Sequence, residues 1–106
     1  MNYEDAITAL ADPTRRDIID RLRGGALPVA AIAKDMSVSR PAVSQHLRVL
    51  SDAGLLTVTP AGNRRLYAIA PEGVDQLRKY LDTLWDDAFS AFARAAHEKA
   101  KGQANA

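Results

Sequence analysis

The segment Ser39-Arg40-Pro41-Ala42-Val43-Ser44-Gln45-His46-Leu47-Arg48-Val49-Leu50-Ser51-Asp52-Ala53-Gly54 carries a full set of helix signals. Ser39 can cap, Pro41 sits where the first-turn N–H groups lack partners anyway, and Gly54 stops the helix. At about 100° per residue, Val43, His46, Leu47, Leu50 and Ala53 fall on one arc. Arg40, Pro41, Ser44, Gln45, Arg48, Ser51 and Asp52 fall on the other. One face is apolar and packs on a body. The other offers arginines, serines and a glutamine to whatever lies outside.

Upstream, Pro28 opens a shorter helix of about two turns, with Val29, Ile32, Ala33 and Met36 on one side. Ser37-Val38-Ser39 is a tight turn between the two. Before it, Asp12 as N-cap and Pro13 at the first helical position start a helix running to about Leu22, which Gly24-Gly25 ends. Tyr3, Ile7, Leu10 and Ala11 mark a first helix over residues 3–10. Downstream the period changes. Leu55–Thr59 and Arg64–Ile69 flank the turn cluster Pro60-Ala61-Gly62-Asn63, a hairpin signal. Pro71-Glu72 then opens a helix of about six turns, with apolar residues recurring every three or four positions. The polar, small-residue end, 99–106, reads as a fraying tail. The expected order is α-α-α-α-β-β-α: one mainly α domain over 1–98 with a small β-hairpin, a winged helix-turn-helix.

The charge distribution points to a partner. The 106 residues carry a formal net charge of only +1. Residues 39–67 hold Arg40, Arg48, Arg64 and Arg65 against Asp52 alone, a net +3, which leaves about −2 elsewhere. Positive charge gathered on one helix and the adjacent hairpin suits double-stranded DNA. Arginine can pair with guanine, glutamine with adenine, and serine with a base edge or phosphate. The expected DNA-contacting residues are therefore Ser39, Arg40, Pro41, Ser44, Gln45 and Arg48 on the helix, with Asn63, Arg64 and Arg65 at the hairpin tip. A merely solvated helix face and hairpin tip is the competing reading, and the shared charge weighs against it. Tyr67 is expected to pack on the sheet.

Other functions find little support. With no cysteine, the chain has no disulfide, thiolate metal site or thiol switch. The acidic start is unlike a signal peptide, and no run reaches the roughly 20 apolar residues of a membrane span, so a cytoplasmic protein is expected. There is no nucleophile pattern, phosphate loop or metalloprotease spacing, so no catalysis and no cofactor are expected. His46 reads as a packed histidine bonded to nearby backbone, and His97 as a solvated one. Asp82, Asp86 and Asp87 read as a solvated acidic cluster, with no metal assigned.

The last helix carries a stripe of Val74, Leu77, Leu81, Leu84, Ala88, Phe92 and Ala95, widened by Tyr80, Trp85 and Phe89. Such a helix overruns so small a body, and exposed aromatic patches mark interfaces. The expected partner is a second copy, placing two of the arginine-bearing helices about 34 Å apart.

Three runs together resemble the ArsR/SmtB family of bacterial winged-helix repressors: Ala9-Leu10-Ala11-Asp12-Pro13-Thr14-Arg15-Arg16, Ser39 to Leu47, and Leu50-Ser51-Asp52-Ala53-Gly54-Leu55-Leu56. Gly62-Asn63-Arg64-Arg65-Leu66-Tyr67 is similar to that family's wing. The resemblance covers residues 3–98. It implies a homodimer joined through the first and last helices (Tyr3, Ile7, Leu77, Leu81, Leu84, Trp85, Ala88, Phe89 and Phe92), repression at a palindromic operator, and release by an effector the sequence does not identify. Two departures stand out. Metal-sensing members often carry two cysteines where this chain has Leu27-Pro28-Val29-Ala30. Members that bind zinc on the last helix use four ligands. Aligning His97 with one of them puts Asp86 at a second and the apolar Leu84 and Ala100 at the outer two. Rival readings are a winged-helix protein–protein module without DNA binding, and a metal-responsive regulator using the last-helix carboxylates and His97.

Overall fold

A computed structural model describes residues 2–104. Helix α1 spans Tyr3–Ala11 and starts at Asn2, whose Oδ1 accepts from the Glu4 and Asp5 N–H groups at 2.9 and 3.4 Å. Asp12 is extended and caps α2, Pro13–Arg21, accepting from Thr14 N at 2.8 Å and Arg15 N at 3.1 Å. The Arg15 N–H bond is the main reason the Asp12 carboxyl is held below its usual pKa, although partial desolvation opposes it.

The two arginines after this cap serve the helix before it. Arg15 Nε donates to Ala9 O at 2.6 Å, and Arg16 Nη1 donates to Leu10 O at 2.8 Å and Ala11 O at 3.0 Å. These are the carbonyls that the C-terminus of α1 leaves unpaired, and cations there are favoured. Arg21 does similar work further on, donating to Ile32 O at 3.3 Å within the next short helix and to Lys34 O at 2.6 Å at its C-cap.

Strand β1 is Leu27–Pro28, α3 is Val29–Ala33, α4 is Arg40–Asp52, β2 is Leu56–Ala61, β3 is Arg64–Ile69 and α5 is Pro71–Ala104. Three features differ from the sequence expectation. First, the hairpin is part of a three-stranded antiparallel sheet in the order β1-β3-β2, with Leu27 opposite Tyr67 and Pro28 opposite Leu66. Both prolines in the sheet, Pro28 and Pro60, lie on edge strands, where a missing N–H costs no ladder bond. Pro60 and Ala61 therefore belong to β2, and the turn shrinks to Gly62-Asn63, with Gly62 at φ +64° as a glycine-first two-residue hairpin requires. Second, α3 has five residues rather than two turns. The chain leaves the helix at Lys34 and passes through Asp35 at φ +62°, a conformation aspartate tolerates. Met36 still packs on the core from the turn.

Third, α5 runs 34 residues, about nine turns and roughly 51 Å, rather than six turns. It continues through residues 99–104, where fraying was expected; apart from Gly102, the alanines, lysines and glutamine there are good helix formers. Residues 105–106 of the expected tail lie outside the described residues. The overhang stretches the molecule to 73 × 27 × 22 Å.

The core lies where α1–α4 meet the sheet and the first turns of α5. Ile18, Ile32, Val43, Leu47, Leu50 and Leu55 are its largest fully buried side chains, each contributing roughly 1.5–3 kcal/mol of burial. Leu77 also belongs to this core, at 8% exposure, so it is covered by its own chain. Among the described residues, no helix is long and apolar enough to cross a membrane.

Candidate nucleic-acid interface

Helix α4 is positioned by its cap and its buried stripe. Ala42 N–H donates to Ser39 Oγ at 3.2 Å, and Val43 N–H to Ser39 O at 3.0 Å. Val43, Leu47 and Leu50 point inward and are fully buried. The helical period then turns Arg40, Pro41, Ser44, Gln45, Arg48 and Asp52 outward, and all are exposed, as is Ser39. Ser51, expected on the same arc, is only half-buried at its edge; its Oγ is enclosed and finds no hydrogen-bond partner among the described residues.

The hairpin brings the remaining candidates alongside. Asn63, Arg64 and Arg65 are exposed at its tip. Arg40, Asn63, Arg64 and Arg65 border one cleft of about 300 Å³, closed behind by Pro28, Val29 and Ala30. Ser44, Arg48 and Arg65 border a second, of about 410 Å³, between α4 and the hairpin. Tyr67 lines both, and its ring packs on the core while the strand pairs with β1 and β2. Six of the nine candidates expected from sequence thus line these two clefts, and Ser39, Pro41 and Gln45 are exposed on or beside α4. Tyr67 as the wall shared by both clefts was not legible, because its place depends on β1.

The electrostatics of this face are one-sided. Arg48 Nε lies 3.9 Å from Asp52 Oδ2, with both side chains more than 70% exposed, so the pair is worth little in water. Among the described residues, Arg40, Arg64 and Arg65 form no ion pair. Three guanidiniums without a protein carboxylate, flanking an exposed polar helix, can take phosphate oxygens at little cost. His46 sits behind this surface, half-buried, with Nδ1 3.4 Å from Arg15 Nη1; its neighbour is that guanidinium rather than the backbone acceptor expected.

A second surface, on α1 and α5, is apolar and exposed. Tyr3 stacks on Tyr80 with ring centroids 4.8 Å apart and an interplanar angle of 14°, tying α1 to α5. Ile7, Leu81 and Leu84 are about half exposed, and Trp85, Phe89 and Phe92 are 62–71% exposed. Ala88 is exposed too. The expected interface residues other than Leu77 therefore form one continuous strip along α1 and α5.

The positions compared above with metal ligands do not suit a metal. Leu84, Pro28, Ala30 and Ala100 offer no side-chain donor, and Asp86 and His97, both exposed, stand about three turns apart on α5. No group of three or more His, Cys, Asp or Glu residues gathers among the described residues.

Comparison with known proteins places these features. A helix-turn-helix domain model matches residues 10–59. The HTH-type transcriptional regulator Rv2034 of Mycobacterium tuberculosis (strain ATCC 25618 / H37Rv) is 51% identical over 86 residues, covering 81% of this chain and 80% of that one. The crystal structure of a possible transcriptional regulator for arsenical resistance superposes with a TM-score of 0.70 at 42% identity, covering 76% of this chain and 84% of the other. The homodimeric winged helix-turn-helix DNA-binding domain of Mb0332 from Mycobacterium bovis, a possible ArsR-family transcriptional regulator, gives a TM-score of 0.64 at 31% identity over 79% of this chain and 78% of that one.

Proposed function

The chain belongs to the ArsR/SmtB family of winged helix-turn-helix transcriptional regulators, and we propose that it works as a homodimeric repressor on a palindromic operator. The observation that carries this reading is the gathering of Arg40, Arg48, Arg64 and Arg65 on the exposed surface of α4 and the hairpin, together with a separate exposed apolar strip on α1 and α5. A two-fold dimer on DNA requires a DNA-binding face and a separate self-association face, placed so that both copies of α4 reach the same side of one duplex.

In this account the exposed side of α4 enters the major groove. Arg40, Ser44 and Gln45, near its N-terminal end, reach base edges, while Ser39, Pro41 and Arg48 sit against the groove walls. Asn63, Arg64 and Arg65 hold the phosphates beside it, and the hairpin acts as the wing. Tyr3, Ile7, Leu81, Leu84, Trp85, Ala88, Phe89 and Phe92 bury their exposed parts against a second copy. The aromatic members of that strip are the residue types enriched in interface cores. The homodimeric Mb0332 domain supports this pairing, as its fold matches over most of the chain. The protein binds and occludes DNA in this account and transforms no substrate, in keeping with relatives that are regulators. Such a protein would act in the cytoplasm.

Hydroxyl-radical footprinting on duplexes selected by the purified protein tests the arrangement. Two protected patches one helical turn apart, related by a dyad, are expected. A single patch, or protection with no dyad, would exclude the two-fold dimer on DNA.

A further inference from the structure

We infer that Gly73, in the first turn of α5, is a positioning residue that sets where α4 stands relative to α5, and so how the two copies of α4 in a dimer fit one operator. This rests on the operator-binding reading above. Helix α4 ends at Asp52, with Ala53 as its C-cap donating N–H to Val49 O, and Gly54 turns the chain at φ +81°. Leu55 N–H closes back on Leu50 O at 3.0 Å, and Leu55 O accepts from Ala70 N at 2.9 Å, one residue before α5. The end of α4 and the start of α5 are thereby pinned to the same short segment.

At that junction the two backbones touch with no side chain between them. Gly73 is buried, and a Cβ built on it would lie 1.9 Å from Gly54 O and 3.0 Å from Gly54 C. The obstacle is backbone on both sides, so no side chain can swing away to make room. The other glycines outside this junction differ: Gly24, Gly25, Gly62 and Gly102 have nothing among the described residues within 4 Å of a Cβ.

A methyl at Gly73 needs about 3.5 Å to its neighbours, so α5 and the end of α4 would part by about 1.6 Å. The dimer strip lies further along the same α5, beyond Tyr80. Moving α4 relative to α5 in both protomers then changes the separation of the two copies of α4 by up to about 3 Å, close to the base-pair rise of about 3.4 Å. Each α4 keeps its own surface; the pair loses its common fit.

The test uses the full chain carrying Gly73→Ala, with Gly24→Ala as the control. The probes are a palindromic duplex selected by the wild-type protein from random-sequence DNA and the same duplex with one half-site scrambled. Circular dichroism and sedimentation establish fold and dimer for each variant. The expected result is a folded, dimeric Gly73→Ala that binds the scrambled duplex as wild type does. On the full duplex it loses at least about tenfold, a fraction of the ~10³ or more by which specific binding exceeds non-specific. Equal affinities on both duplexes, a parallel loss on both, or a variant that does not fold would reduce the contact to a packing requirement and overturn the inference. Wild-type protein that selects no duplex would remove the operator-binding reading itself, and this one with it.

Discussion

Replacing both wing arginines, Arg64→Ala with Arg65→Ala, separates phosphate contacts from everything else this face does. Both side chains are exposed, and among the described residues neither is ion-paired. Their backbones stay in the ladder opposite Ala61 and Pro60. Stability should therefore stay within about 0.5 kcal/mol of wild type. On DNA the effect is large. A dimer presents four such guanidiniums, and each phosphate neutralised contributes about 0.9 to the slope of log K against log salt, so the slope should fall by about 3.6. Between 50 and 200 mM salt, wild-type affinity would drop roughly 150-fold more than that of the variant. Fluorescence anisotropy on one operator duplex across a salt series measures both slopes. Equal slopes would show that the wing does not touch the phosphates, and the charge argument would then rest on α4 alone.

Other expectations follow from the same coordinates. Leu84 is 48% exposed in the protomer, so Leu84→Asp should leave the fold intact and yield monomers by sedimentation velocity; an unchanged profile would take this part of α5 out of the interface. Leu47 is fully buried, and Leu47→Ala should cost about 2–5 kcal/mol in urea unfolding; a loss well under that range would mean the core closes around the gap. Asp52 lies 3.9 Å from Arg48 on the exposed face of α4, and Asp52→Asn should raise affinity for non-specific duplex at low salt, whereas no change would put Asp52 away from the phosphates. Asp12 and Asp75 both have pKa values lowered from 3.8, Asp12 chiefly by the Arg15 N–H and Asp75 chiefly by Arg78. Their contribution is complete above the unfolded value and is lost as the pH falls through the lower folded value. Thermal melts from pH 6 downward should show stability falling below about pH 4, with a shallower fall for Asp12→Asn, which can still cap; an unaltered acid limb would leave Asp12 without a share in it.

Much of this architecture was legible because the signals are local. Asp12-Pro13, Ser39 with Pro41, and Gly54 announce their helix ends within three or four residues, and the α4 stripe follows from the helical period alone. What escaped depends on residues far apart in sequence. Strand β1 is two residues long and exists because Tyr67 and Leu66 of β3 pair with it. Arg15 and Arg16 look like ordinary surface cations of α2, yet they cap α1 because the chain bends at Asp12. Leu77 and Leu81 sit one turn apart on the same stripe. Only the packing shows that the first is covered by its own chain while the second is left bare. Nothing nearby in sequence reveals the Gly54 carbonyl against Gly73. The exposure of Arg40, Pro41, Ser44, Gln45 and Arg48 was readable because it follows from what the opposite face of α4 buries.

The central claim is sequence-specific DNA binding through α4 and the wing. It is tested most directly by a gel shift of the purified wild-type protein and of Arg40→Ala with Arg48→Ala, on the duplex of its own promoter, with excess non-specific competitor. A discrete, competitor-resistant band for wild type that disappears for the variant, with both proteins folded and dimeric, is the predicted result. A band that survives the double substitution, or one that competitor abolishes for wild type, would contradict the assignment of this face.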